Sequence, residues 1–123
     1  MAKSIVNEVV NPIYITIVDT GEEFELEFNR ESVVFTNRQG FKLSEFSDNM
    51  EEMLPILFYG AFRMHHKKVS RQKTDQILFD YLGGLTDEAA ERLLQLYSAP
   101  RKAMMKDDED EGDEKNAKAT VRL

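Results

Sequence analysis

Two neighbouring segments near the start of the chain place apolar residues at every second position, and this spacing most constrains the fold. A period of two gives a strand one buried and one solvated face. The connection at residues 19–21 contains Gly21 and is typical of a β-hairpin turn. Because an isolated hairpin is marginally stable in water, residues 12–28 are predicted to form a hairpin packed on helices. The alternating apolar residues are Ile13, Ile15, Ile17, Phe24, Leu26 and Phe28.

After Phe28 the apolar spacing changes to about 3.6 residues, which predicts helices. Their predicted bounds are residues 30–39, 49–66, 70–82 and 86–98. The fold class is therefore α+β, an N-terminal β-hairpin packed on a small bundle of about four helices. The N-caps are Asn29, one of the polar residues 47–49, Ser70 and Thr86, and the stops are Gly40 and Gly83-Gly84. The residues expected to face inward are Val34 and Phe35; Met50, Met53, Leu54, Leu57, Phe58, Ala61 and Phe62; Thr74, Ile77, Leu78, Tyr81 and Leu82; and Ala90, Leu93, Leu94 and Tyr97.

The second predicted helix is the most apolar one and contains two unusual residues. Pro55 has no N–H donor and is harmless only in a first turn, so the helix either begins close to Met53 or is kinked. Gly60 in a helix interior costs about 1 kcal/mol relative to Ala. We interpret Gly60 as the place where a neighbouring element comes close.

The C-terminal part of the chain is strongly acidic. Residues 107–114 hold seven acids in eight positions, and such a block cannot bury apolar surface. Residues 106–123 are therefore predicted to be a disordered acidic tail. They hold seven acids and four basic residues, so they carry −3 of the net charge of −7 and leave −4 for residues 1–105, a single folded domain.

The composition and motifs exclude several kinds of chemistry. The chain has no Cys, which excludes disulfides, Cys-ligated zinc and thiolate nucleophiles. There is no G-x-S-x-G motif and no phosphate-binding glycine loop, so we expect no catalytic residues, no cofactor and no enzymatic activity. No apolar run approaches the roughly 20 residues that span a bilayer, and the N-terminus lacks the apolar core of a signal peptide. A cytoplasmic protein with no membrane partner is predicted.

His65 and His66 are the only two histidines. Adjacent residues on a helix do not converge on one ion, so a zinc site here would need two distant carboxylates. No metal is expected; one histidine should pack at the helix C-terminus and the other should lie in solvent. Glu23, Glu25 and Glu27 are interpreted as the solvated face of a strand.

The segment at residues 63–73, RMHHKKVSRQK, holds five basic residues and no acid, and we call it the basic patch. It could bind phosphate or an acidic protein surface. Alternatively, Lys67 and Lys68 cap the helix end and the other cations are solvated, or the acidic tail folds back onto the patch. The net charge of −7 opposes general nucleic-acid binding.

Residues 24–41 and 53–78 resemble a family of tail assembly chaperones from tailed bacteriophages and prophages of Gram-positive bacteria. The resemblance rests on the LEFNR–SV–GF spacing, on LP-LF-GAF-HH, and on a helix containing Thr74 and Asp75. It covers about residues 13–97, and a short acidic tail is typical of such proteins. It implies a small, mostly helical, non-enzymatic protein of the host cytoplasm that binds the tape measure protein and keeps it soluble during tail morphogenesis. A frameshifted longer form is thought to contact the tail tube protein, and this chain would be the short form.

A chaperone for an apolar helical partner needs an adaptable apolar groove. Self-association through an uncovered part of this groove is compatible with the same pattern. The alternative function is that of a small regulatory protein that binds nucleic acid or an acidic partner through the basic patch. The residues predicted to bind the partner are Met53, Leu57, Phe58, Tyr59 and Phe62 in the groove and Arg63, Lys67 and Lys68 at its rim.

Overall fold

A computed structural model describes the backbone of residues 10–104, and its elements confirm the predicted α+β architecture. A β-hairpin comes first and is followed by four helices. The predicted acidic tail at residues 106–123 lies outside the described residues. Across residues 10–104, no helix is both long and apolar enough to cross a membrane. The elements are β1 (Ile13–Thr16), β2 (Glu23–Leu26), α1 (Arg30–Arg38), a 3₁₀ turn (Leu43–Glu45), α2 (Met50–Phe62), α3 (Arg71–Asp75), a π-helical segment (Gln76–Tyr81) and α4 (Asp87–Met104).

The hairpin is antiparallel and pairs Ile15 with Phe24 across its strands. The turn places Gly21 at a φ of 77°, a left-handed conformation that favours glycine. The alternating apolar residues lie on one face and pack against the helices, as the period of two predicts.

The core lies between the hairpin, α2, the π-helical segment and α4. Helix α2 contacts α1, α3, α4 and β2, so the most apolar helix is also the central one. Aromatic rings meet edge to face within this core; Tyr97 packs against Phe28 and Phe41 in this way. The buried apolar residues of the helices include Val33, Met53, Leu57, Phe58, Ala61, Phe62, Ile77, Leu78, Leu93, Leu96 and Tyr97.

Helix α1 begins with a capping box, which confirms Asn29 as its N-cap. Asn29 Oδ1 accepts the N–H of Ser32 at 2.8 Å, and Ser32 Oγ accepts the N–H of Asn29 at 2.8 Å. Two N–H groups at the start of the helix are thereby satisfied by side chains. The chain leaves the helix at Gly40, whose φ is 106°.

Replacing Asn29 with Ala should lower the free energy of unfolding by about 1 kcal/mol, because the Ser32 N–H loses its acceptor. Urea denaturation monitored by circular dichroism measures this. Asn29→Asp keeps an acceptor oxygen and serves as the matched control, with stability close to that of the wild type. Equal stability of Asn29→Ala and Asn29→Asp would show that the capping box does not stabilise the fold.

The inward face of α1 differs from the prediction. Val33 is buried and Val34 is 44% exposed, so the prediction for Val34 is wrong. The helix instead buries Ser32 and Thr36, and Thr36 Oγ1 donates to the carbonyl of Ser32 at 2.7 Å. Because the hydroxyl of Thr36 is satisfied within the helix, this small polar face can pack against α2 without an unpaired donor.

That packing accounts for Gly60 in α2. A Cβ placed on Gly60 would overlap Oγ1 of Thr36 and lie 2.8 Å from its Cβ. The predicted close approach at Gly60 is thus confirmed, and the neighbouring element is α1.

Helix α2 begins at Met50 and includes Pro55 beyond its first turn. Since Pro55 has no N–H, the carbonyl of Glu51 lacks its usual helical donor. The helix ends at Phe62, short of the predicted residue 66, and the chain then turns so that His66 reaches the hairpin.

The third predicted helix changes geometry along its length. Ser70 caps α3 by accepting the N–H of Lys73 at 3.1 Å, as predicted. In the π-helical segment that follows, the N–H of Leu82 donates to the carbonyl of Ile77, five residues back, at 2.9 Å. The wider turn rotates Tyr81 and Leu82 out of the core, and both are exposed. Their predicted burial is wrong because it assumed 3.6 residues per turn throughout.

Helix α4 extends to Met104, beyond the predicted end at residue 98. Thr86 caps it by accepting the N–H of Ala89 at 3.1 Å. Pro100 removes only the hydrogen bond to the carbonyl of Leu96, and the buried Leu96 and Tyr97 anchor the helix before that point. Pro100 therefore does not end the helix.

Candidate functional site

The residues predicted to form a partner-binding groove lie mostly in the core. Met53, Leu57, Phe58 and Phe62 are buried, because the hairpin and α4 pack on this face of α2. As an exposed groove, the prediction is wrong for these four residues. Tyr59 is partly buried, with its ring centroid 5.4 Å from that of Phe35.

The predicted rim residues Arg63, Lys67 and Lys68 lie at and just after the C-terminal end of α2. Arg63 places its guanidinium 4.5 Å from the ring centroid of Phe35, a cation–π contact. Its Nε is buried and makes no hydrogen bond within the described residues. Lys67 Nζ lies 3.9 Å from Oε1 of Glu31, and Lys68 is exposed. Arg63 and Lys67 line one small depression together with Tyr59 and Phe62, whereas Lys68 lies outside it.

Other cations of the basic patch also lie beside carboxylates. Arg71 Nε contacts Oδ1 of Asp75 at 3.0 Å, and Lys73 Nζ lies 3.6 Å from Oε1 of Glu22. These pairs are exposed, so each contributes little to stability, but they reduce the positive potential of the patch. The structure does not present the patch as a concentrated anion-binding surface.

An exposed apolar cleft lies instead between the first turns of α2 and the π-helical segment. It has a volume of about 540 Å³. Met50 is 44% exposed and Phe79 is 56% exposed, which is unusual for large apolar side chains that face a common depression. We call this feature the apolar cleft. It is lined by Ser47, Asp48, Met50, Glu51, Leu54, Pro55, Leu78, Phe79 and Gly84.

The lining of the apolar cleft combines an apolar floor with acceptors at the edge. Leu54, Pro55 and Leu78 form apolar walls, while Asp48 and Glu51 contribute carboxylates. The cleft can therefore accept an apolar side chain flanked by hydrogen-bond donors or positive charges.

Sequence reasoning missed this cleft because it placed Met50 on the inward face of its helix, and this prediction is wrong, since Met50 is 44% exposed. The only signal for it was Phe79, a large apolar residue off the predicted stripe of the third helix. The π-helical geometry that turns Tyr81 and Leu82 outward has no signature in the apolar spacing.

The two histidines have different roles in the structure. His66 packs against the rings of Phe24 and Phe62, and its Nε2 accepts the N–H of Glu25 at 2.9 Å. His65 Nε2 lies 2.9 Å from Oε1 of Glu27 and 3.6 Å from Oε2 of Glu25. One histidine packs as predicted, but on the hairpin, and the other meets two carboxylates. We call Glu25, Glu27 and His65 the His–carboxylate cluster.

The cluster corrects the interpretation of the glutamates as a fully solvated strand face. Glu25 and Glu27 are partly buried beside His65, whereas Glu23 is exposed. Tyr14 pairs with Glu25 across the hairpin. The negative charge of Glu25 is the main cause that raises the pKa of Tyr14, followed by burial and by Glu27 and Glu23. This end of the hairpin is thus a locally acidic surface.

Fold and surface together define a small α+β protein whose main exposed features are an apolar cleft and a His–carboxylate cluster. A family model described as a domain of unknown function, DUF5055, matches residues 1–123. The chain belongs to this family. No curated protein and no solved structure matches the chain.

Proposed function

We propose that this protein is a non-enzymatic tail assembly chaperone that binds and solubilises a phage tape measure protein in the host cytoplasm. The resemblance of residues 24–41 and 53–78 to such chaperones motivates the proposal. The single structural observation that supports it is the apolar cleft, an exposed apolar depression in a small protein. The cleft replaces the groove predicted from the sequence as the place where the partner binds.

The occupant we assign to the apolar cleft is an amphipathic helix of the tape measure protein. Grooves between helices accept such helices through apolar side chains spaced by three or four residues. Met50 and Phe79 are exposed at opposite sides of the cleft, and the flexible side chain of Met50 can adjust to different apolar residues. A partner with a repeated helical pattern can be bound at several of its segments in this way.

Charge complementarity specifies the flanks of this helix. Asp48 and Glu51 line the cleft, so Lys or Arg beside the apolar stripe of the partner would face opposite charge. The net charge of −7 favours solubility of the complex.

The alternative function, binding of nucleic acid or an acidic partner through the basic patch, has less support. Lys67, Arg71 and Lys73 each lie beside a carboxylate of the same chain. A phosphate ligand would have to displace these carboxylates before it gained full electrostatic attraction.

Co-expression with the tape measure protein encoded nearby tests the proposal. The soluble fraction of that protein should rise when this chain is present, and the two should purify together. Phe79→Asp should weaken the complex by about 2 kcal/mol, roughly thirtyfold in affinity, because a charge replaces an apolar contact at the cleft. Val34→Asp is the matched control, since Val34 is also exposed but does not line the cleft.

Two outcomes separate the function from its location. If the tape measure protein is no more soluble with this chain than without it, the proposed function is wrong. If this chain makes the tape measure protein more soluble, but the Phe79→Asp variant binds it as tightly as the Val34→Asp variant does, the function stands and the assignment to the apolar cleft is wrong.

A further inference from the structure

The His–carboxylate cluster joins three metal-ligating side chains from two distant parts of the chain. One ligand atom from each of Glu25, Glu27 and His65 lies within 4.8 Å of the others. The fold thus brings to His65 the two carboxylates, distant in sequence, that a zinc site here would need. Separations of 38 and 40 residues hide this arrangement from any spacing motif.

The distances in the cluster are close to those of a metal site. Tetrahedral zinc with bonds of about 2.0–2.2 Å places neighbouring ligand atoms about 3.3–3.6 Å apart. His65 Nε2 lies 3.6 Å from the Glu25 oxygen, within this range, and 2.9 Å from the Glu27 oxygen, which is a hydrogen-bond distance. An ion would replace this hydrogen bond and move the His65 and Glu27 atoms apart by about 0.4–0.7 Å.

The backbone that carries the ligands is held in place by hydrogen bonds. Glu25 and Glu27 are two residues apart, so an extended chain directs both side chains to one face. The N–H of Glu25 donates to His66 Nε2 at 2.9 Å, and the N–H of Glu27 donates to the carbonyl of Ala61 at 3.0 Å. The backbone at both glutamates is thus fixed relative to the chain segment that bears His65, which limits the entropy lost on binding.

Charge and ligand type define the ion. Two ionised carboxylates match the charge of a divalent cation, and an imidazole nitrogen favours Zn²⁺ over the oxygen-seeking Mg²⁺ and Ca²⁺. The three side chains are 31%, 34% and 30% exposed, so an ion and a water ligand can reach them. We propose that Glu25, Glu27 and His65 bind one Zn²⁺ ion, with water completing the coordination.

Zinc at this position would connect the hairpin to the segment after α2. The unfolded chain does not bring these three residues together, so binding should stabilise the folded state. This site is separate from the apolar cleft, and the proposal stands on different residues from the proposed chaperone function.

Zinc titration of the full-length, metal-free protein without a histidine tag tests the inference. Isothermal titration calorimetry and competition with a chromophoric chelator should give one site per chain. His65→Ala and Glu27→Gln should each weaken binding by about tenfold or more, since even the loss of supporting partners costs 10–100-fold at metal sites. Glu23→Gln, on the same strand but outside the cluster, should bind zinc as the wild type does.

A second measurement guards against folding defects and against binding elsewhere. Circular dichroism should show that His65→Ala remains folded, and NMR should show zinc-dependent shifts of the His65 ring in the wild type. Absence of saturable zinc binding would overturn the inference. Unchanged binding in the His65→Ala, Glu27→Gln double variant would also overturn it, because the ion would then be held elsewhere, for example by the acids of residues 107–114.

Discussion

Replacing Gly60 with Ala is expected to lower the free energy of unfolding by about 1–3 kcal/mol, the usual range for overpacking a core. Helix propensity alone would make Gly60→Ala stabilising by about 1 kcal/mol. A loss of stability therefore reports the contact with the neighbouring helix. The new Cβ would lie 2.8 Å and 2.9 Å from Cβ and Cγ2 of Thr36. Thr36 is fully buried and bonded to the Ser32 carbonyl, so α1 and α2 must move apart.

Urea denaturation of Gly60→Ala measures this loss, and a second substitution at Thr36 supplies the control. In the Gly60→Ala, Thr36→Gly double variant the glycine lies on α1, so the new methyl group at residue 60 meets no side chain at residue 36. It should recover much of the stability lost in the single variant, which a double-mutant cycle quantifies as coupling. If Gly60→Ala is as stable as the wild type, the close contact of the helices is wrong.

The same contact shows what the sequence could and could not predict about the fold. The alternation of the hairpin, the caps at Asn29, Ser70 and Thr86, and the close approach at Gly60 follow from local rules, and the structure has them. The burial of Val33 instead of Val34 does not follow from local rules. It depends on the neighbouring helix α2, which has no side chain at Gly60. Such a partner lets α1 bury Ser32 and Thr36 instead of a second valine.

The candidate sites were harder to predict from the sequence. They depend on which helix faces other elements cover, and on contacts between residues that are far apart in the sequence. An apolar stripe on a helix fits a core or a groove equally well, and only the position of the hairpin and α4 puts Phe58 in the core. The apolar cleft depends on how the first turns of α2 meet the π-helical segment, which local apolar spacing does not give. The pairing of His65 with Glu25 and Glu27 requires the hairpin to fold onto the end of α2.

A matched pair of truncations separates the core from the cleft. Phe58→Ala should lower the free energy of unfolding by about 3–5 kcal/mol, because it leaves a cavity beside Phe62, whose ring centroid is 5.1 Å away. Phe79→Ala should change it by less than about 0.5 kcal/mol, since the side chain is more than half exposed. Urea denaturation of both variants measures these changes. If Phe58→Ala does not fold, Phe58→Leu is measured instead, because it removes less volume from the core.

The effects on binding should be opposite to the effects on stability in the Phe58 and Phe79 variants. Phe79→Ala should weaken capture of the tape measure protein while leaving the fold intact, whereas Phe58→Leu, where it is folded, should capture it as the wild type does. The opposite result would be a stable Phe58 variant that loses binding and a Phe79 variant that keeps it. The partner would then bind at Met53, Leu57 and Phe62, as the sequence predicts. The central helix would then have to open to bind, because in the described fold the hairpin and α4 cover these side chains.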